Sequence, residues 1–135
     1  MFRRHAVHSR RGEQQITIRS ERDGHAHVIQ LIGELDMNTA PVFEDELKRV
    51  EATDAREIIV DLSALRSIGS DGLKAFIHAN ARSRRGGNRL ILLRGPHQVH
   101  RTFEMTGLVS QMPFADWGDV RSLVHGHLSR ADLVA

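Results

Sequence analysis

Cysteine is absent from the 135 residues. That excludes disulfides, thiolate zinc sites and cysteine nucleophiles. Stability has to come from a packed core, which suits a reducing, cytoplasmic setting. Tyrosine is absent too, and the aromatics are five Phe and one Trp. So few rings leave no basis for the stacking platforms of single-strand nucleic-acid binders. An excess of one charge sign is also missing: 19 Lys and Arg against 17 Asp and Glu give a formal charge of +2. A chain that works by holding phosphate backbones carries a larger basic excess, so direct nucleic-acid binding is not expected. No apolar run approaches the roughly 18 residues of a membrane span, and the start lacks the apolar stretch of a secretory signal. What remains is 40% apolar and 27% charged, the balance of one folded domain.

Residues 1–13 read as a flexible basic tail, with Arg3, Arg4, Arg10 and Arg11 in solvent. Ile16–Ile18 and Ala26–Leu35 alternate as strands, and Asp23-Gly24 between them marks a hairpin. Asn38 is placed to cap a helix. In that helix Phe43, Leu47 and Val50 recur on one face, and Glu44, Asp45, Glu46, Lys48 and Arg49 face water. Glu57–Leu62 is a β-branched run, the pattern of a strand buried on both faces. A loop carrying Leu65 and Ile68 inward leads to a helix over 70–85, whose terminal Arg82, Arg84 and Arg85 suit the macrodipole. Arg89–Leu93 is a second buried strand, Gly95-Pro96 opens a third helix, and residues 111–115 suit a short edge strand. Asp116 caps a last helix with Trp117, Val120, Val124 and Leu128 inward. The order predicts an α/β fold: one domain over 14–130, with a mixed, mostly parallel sheet of four to five strands covered by about four helices. Residues 131–135 form a short tail.

Enzyme signatures are missing. There is no phosphate loop of the GxxxxGK[ST] kind, and Gly69-Ser70-Asp71-Gly72 lacks the spacing of a nucleophile elbow. His25 and His27 share a strand and His125 and His127 a helix end. No carboxylate completes either pair as a metal site, so both pairs read as solvated surface, with no metal and no cofactor. The informative stretch is Glu57–Leu73, where a buried strand leads to Ser70 at a helix start between Gly69 and Gly72. Such a serine has a structural use as helix N-cap, which spacing alone favours. It also has a chemical one, since a phosphate there meets free backbone N–H groups.

Three separated motifs then carry a resemblance. Asp61-Leu62-Ser63-Ala64-Leu65 followed by Ser70-Asp71-Gly72-Leu73, Gly33-Glu34-Leu35-Asp36, and Arg101–Leu108 are similar to the STAS domain of bacterial anti-sigma-factor antagonists. The likeness spans about residues 15–125. It implies a protein that is not an enzyme. Such an antagonist binds an anti-sigma factor that is also a serine kinase, and so frees a sigma factor. Phosphorylation of the serine matching Ser70 ends the binding, and a serine phosphatase restores it. The family usually reads Asp-Ser-Ser/Thr-Gly, whereas here Gly69 precedes the serine and Asp71 follows it. The implied contact surface is Asp36, Asn38, Ser67, Gly69, Ser70, Asp71 and Lys74. A monomer or weak homodimer without a membrane span is expected. The alternatives are a STAS scaffold or adaptor subunit of a stress-sensing or lipid-transport complex, and a small enzyme using Ser70 as nucleophile.

Overall fold

Alternating and β-branched segments form the strands of a single six-stranded sheet in which each strand pairs with its successor in sequence. The computed structural model describes residues 4–11 and 14–124. Strands β1 (Arg4–Arg11), β2 (Gln14–Asp23) and β3 (Ala26–Leu35) pair antiparallel. Strands β4 (Glu57–Ile68), β5 (Arg89–Leu93) and β6 (Phe114–Ala115) continue from β3 in parallel. Helices α1 (Ala40–Glu51), α2 (Ser70–Arg85) and α3 (His97–Met105) form the crossovers, and the short α4 (Trp117–Val120) follows β6. The mixed, mostly parallel α/β sheet is thus as expected, with one strand more.

The extra strand corrects the tail expected over 1–13. Arg4–Arg11 pair with β2 along their whole length, Val7 opposite Ile18, and Val7 packs on the core. A strand whose only apolar residues are Ala6 and Val7 is drawn in by the ladder that β2 offers, which its own sequence does not advertise. Deletion of residues 1–12 should therefore lower stability by about 1–2 kcal/mol, roughly the value of a partly buried valine. The urea midpoint would report it, and an unchanged midpoint would return the segment to tail status.

The main core lies between one sheet face and α1, α2 and α3. Phe76 of α2 is its hinge, 5.1 Å from the Phe43 ring of α1 and 5.9 Å from that of Phe103 of α3. The other face buries Val28, Ile59 and Ile91 against Val120 and Val124. Arg82 ties α2 to α1 through a two-point pair with Glu51, 2.8 and 3.1 Å, so it does more than balance the helix dipole.

Further expectations are corrected here. Glu46 is buried, 4% exposed, because Ser20 Oγ donates to its carboxylate at 2.5 Å and Arg49 grips it at 2.9 and 2.6 Å. His27 is buried on β3, not solvated, and His25 sits exposed in the hairpin turn. Among the described residues no group of three or more His, Cys, Asp or Glu is arranged to hold a metal ion. His125, His127 and Leu128 lie outside the described residues. No described helix is long and apolar enough to cross a membrane.

Candidate functional site

The site is built where β3 and β4 end. β4 does not stop at Leu62: pairing with β3 continues past two register shifts until Leu35 lies opposite Ile68. The irregular register lets the strand carry Leu65 inward while Arg66 and Ser67 stay exposed. Both strands, the central pair of the sheet, then turn away at its same C-terminal end. The Gly69 N–H donates to Leu35 O at 2.8 Å, which fixes one turn against the other.

The β3–α1 turn is locked by its own side chains. Asp36 Oδ1 accepts from the Asn38 N–H at 2.9 Å and the Thr39 N–H at 3.2 Å. The Thr39 hydroxyl donates to Glu34 O at 2.7 Å and accepts from the Asp36 N–H at 3.0 Å. Thr39, not Asn38, therefore occupies the capping position of α1, and Asn38 is part of the loop. Between Asp36 and Asn38 the turn displays Met37, 70% exposed, which the sequence reading passed over. A large apolar side chain in water on a pinned turn is the signal that would have found it.

Across from that turn, α2 begins. Gly69 holds the capping position in an extended conformation, so Ser70 is the first helical residue and not the cap. Its side chain is exposed, and its hydroxyl makes no hydrogen bond among the described residues. The N–H groups of Ser70, Asp71 and Gly72 precede the first intrahelical donor, the Leu73 N–H on Gly69 O at 3.0 Å, so they form the positive end of the helix. Gly72 lets α2 start this close to the sheet. A Cβ there would lie 2.9 Å from Ile68 Cγ1 and 3.0 Å from Leu35 O. A Cβ at Gly69 would be 3.9 Å from Asp36 Cα, which measures how near the two turns lie.

All seven sequence-derived positions therefore lie at one end of the sheet, where its central strands β3 and β4 finish. Asp36 and Asn38 come from the β3–α1 turn, Ser67 from the end of β4, Gly69 from the following turn, and Ser70, Asp71 and Lys74 from α2. Lys74 is exposed one helical turn beyond Ser70. Glu34 is engaged by Arg66 at 2.9 Å. Among the described residues, the charges at this end outside any ion pair are then Asp36, Asp71 and Lys74, a local sum of −2 + 1 = −1.

The comparisons with known proteins agree with this geometry. Residues 17–117, which contain all seven positions, match the family model described as STAS domain. The chain is 31% identical over 88 residues to an anti-sigma-B factor antagonist of Listeria monocytogenes, covering 65% of this chain and 77% of the relative. It is 30% identical over 84 residues to an anti-sigma-B factor antagonist of Staphylococcus aureus, covering 62% and 78%. The crystal structure of an anti-sigma factor antagonist from Mycobacterium paratuberculosis superposes with a TM-score of 0.71 at 27% identity, over 81% of this chain and 93% of that one. The unphosphorylated anti-sigma factor antagonist SpoIIAA shares the fold, with a TM-score of 0.61 at 20% identity, over 93% of this chain and all of that one. With residues 17–117 matching that family model, three-quarters of the chain, this protein is a member of the STAS domain family.

Proposed function

We propose that the chain is a cytoplasmic anti-sigma-factor antagonist. It binds an anti-sigma factor that is also a serine kinase, releases a sigma factor, and is switched off by phosphorylation of Ser70 and reset by a serine phosphatase. It acts by binding and not by catalysis. The observation that carries the reading is the free Ser70 hydroxyl at the first position of α2, in a chain whose relatives are named anti-sigma-B factor antagonists. Exposure makes the hydroxyl reachable by a kinase. Its place beside two turns that are locked to each other makes it the centre of a pre-organised docking face.

Asp36 serves this face chiefly by holding the turn, since its Oδ1 is spent on Asn38 and Thr39. The contact itself falls to Met37, Ser67, Ser70, Asp71 and Lys74. The test is capture of the tagged chain's partners from its own cells, with and without ATP. A kinase retained mainly without ATP, and labelling of Ser70 with it, support the reading. A large assembly without labelling favours the scaffold or adaptor, and turnover by the isolated chain favours an enzyme.

Two substitutions test the face. Met37→Asp puts a charge where an apolar contact is expected, and Lys74→Glu turns the local sum of −1 into −3. Each should weaken partner binding by about tenfold, on the order of 1.4 kcal/mol, with the melting temperature unchanged because both side chains are exposed. Wild-type affinity in both variants would move the face elsewhere.

A further inference from the structure

The proposed switch makes no use of His100. This residue of α3 is 6% exposed, and its ring stands edge-on to Phe114 of β6, 5.0 Å between centroids and 79° between planes. Phe103 of α3 meets the same Phe114 ring at 5.0 Å, so the imidazole sits in an apolar corner. Its Nδ1 is buried and has no hydrogen-bond partner among the described residues. Its Nε2 lies 2.8 Å from Arg94 Nη2. A guanidinium has donors only, so Nε2 accepts, and the ring is neutral with its one proton on Nδ1. Arg94 stands just past the end of β5, and Gly95 sets the turn behind it close against β4, where a Cβ would lie 2.8 Å from Leu62 O. Among the described residues the Arg94 guanidinium bonds to this imidazole and to no carboxylate.

We propose that Arg94 and His100 form an acid-sensitive latch that ties α3 to the end of β5. A proton taken up at Nε2 turns the acceptor into a donor and sets an imidazolium against a guanidinium at hydrogen-bond distance. The bond is then lost, and Arg94, already exposed, turns to solvent. α3 and β6 loosen together, because β6 is two residues long and its Phe114 rests on the His100 ring. Burial first, and then Arg94, hold His100 below the ordinary histidine range. Glu104, one turn along α3, pulls it up, and His97 pulls it down. β6 faces the ring with the uncharged Phe114. As pH falls the unfolded chain therefore takes the proton first. Stability is full above about 6.5, the ordinary histidine value, and is lost below it toward the lower folded value. The chain would then have an input that needs no modification of Ser70.

The test is a titration of the imidazole C–H signals of the full chain by proton NMR, with His100 assigned by its loss in His100→Gln. His100 should titrate below a free histidine. Arg94→Met, which keeps an apolar stem and removes the cation, should move it back up. Gln accepts from Arg94 through Oε1 but does not titrate, so His100→Gln should fold and shed the acid sensitivity. Between about pH 7 and about pH 5 the wild type should lose about 3 °C or more of melting temperature beyond that variant. The loosening has its own reporter, the Leu92 N–H, which donates to Pro113 O at 2.9 Å beside β6. Its protection from hydrogen exchange should fall at least about threefold in acid in the wild type and hold in His100→Gln. A His100 that titrates at or above the free value, or that Arg94→Met does not move, would overturn the latch. So would equal acid losses in wild type and His100→Gln, or Leu92 protection that does not change. If His100→Gln fails to fold, the titrations of the wild type and Arg94→Met decide.

Discussion

Ser70→Glu should fold like the wild type and lose at least about tenfold in affinity for the anti-sigma partner, on the order of 1.4 kcal/mol or more. Ser70→Ala should bind as well as wild type and accept no phosphate, leaving the sigma factor released whatever the ATP level. The two expectations rest on one geometry. A phosphate on Ser70 adds about −1.5 to −2 charges. The end of α2 stabilises that charge through its free N–H groups, typically by less than about 1 kcal/mol, so the helix should not melt. Asp71 in the same turn, and Asp36 at the same end of the sheet, offset part of that gain. The local sum of −1 becomes about −3, and among the described residues Lys74 is the cation at this end outside an ion pair, Arg66 being held by Glu34. When a partner covers this end the phosphate must shed water without a matching cation, and binding fails while the fold stands. Equal affinity of wild type and Ser70→Glu, or kinase labelling of Ser70→Ala at the wild-type rate, would sink the switch.

Gly33→Ala should be strongly destabilising. Gly33 has φ of +119°, a conformation that side chains rarely adopt, and its Cβ would lie 2.5 Å from Gln15 O on β2. The obstacle is backbone in a paired strand, so it cannot swing aside. The substitution should cost about 2–4 kcal/mol, adding strain at φ to the displaced ladder. In a thermal melt that is a fall of roughly 10 °C. Partner affinity should fall with it, because Gly33 sits two residues before Leu35, whose carbonyl anchors Gly69. A melting temperature within about 2 °C of wild type would show that β2 yields instead.

The signals legible in the sequence were local ones. Asp23-Gly24 announced its hairpin, Glu57–Leu62 its buried strand, and Ser70–Arg85 its helix, because each depends on residues within a few positions. The seven candidate contact positions came instead from the family resemblance, and the structure places them together where β3 and β4 end. What stayed hidden depends on distant partners. Glu46 reads as a surface acid until Ser20, 26 positions away, is found donating to it. His27 reads as surface until the sheet covers it. β1 exists because β2 offers an edge, and the continuation of β4 to Ile68 depends on irregular pairing with β3. Met37 was a different omission: an apolar residue in a loop has no periodicity to flag it, and only its exposure in the fold gives it meaning.

The strand order has a kinetic consequence. Every strand bonds to the one that follows it, so no strand has to be threaded between two already joined. Each new pairing closes only a hairpin or a single helix-bearing crossover, which keeps the loop-closure entropy of every step small. This order would allow each finished edge to template the next segment to leave the ribosome. A regulator assembled in this way would be ready to engage its partner soon after translation ends.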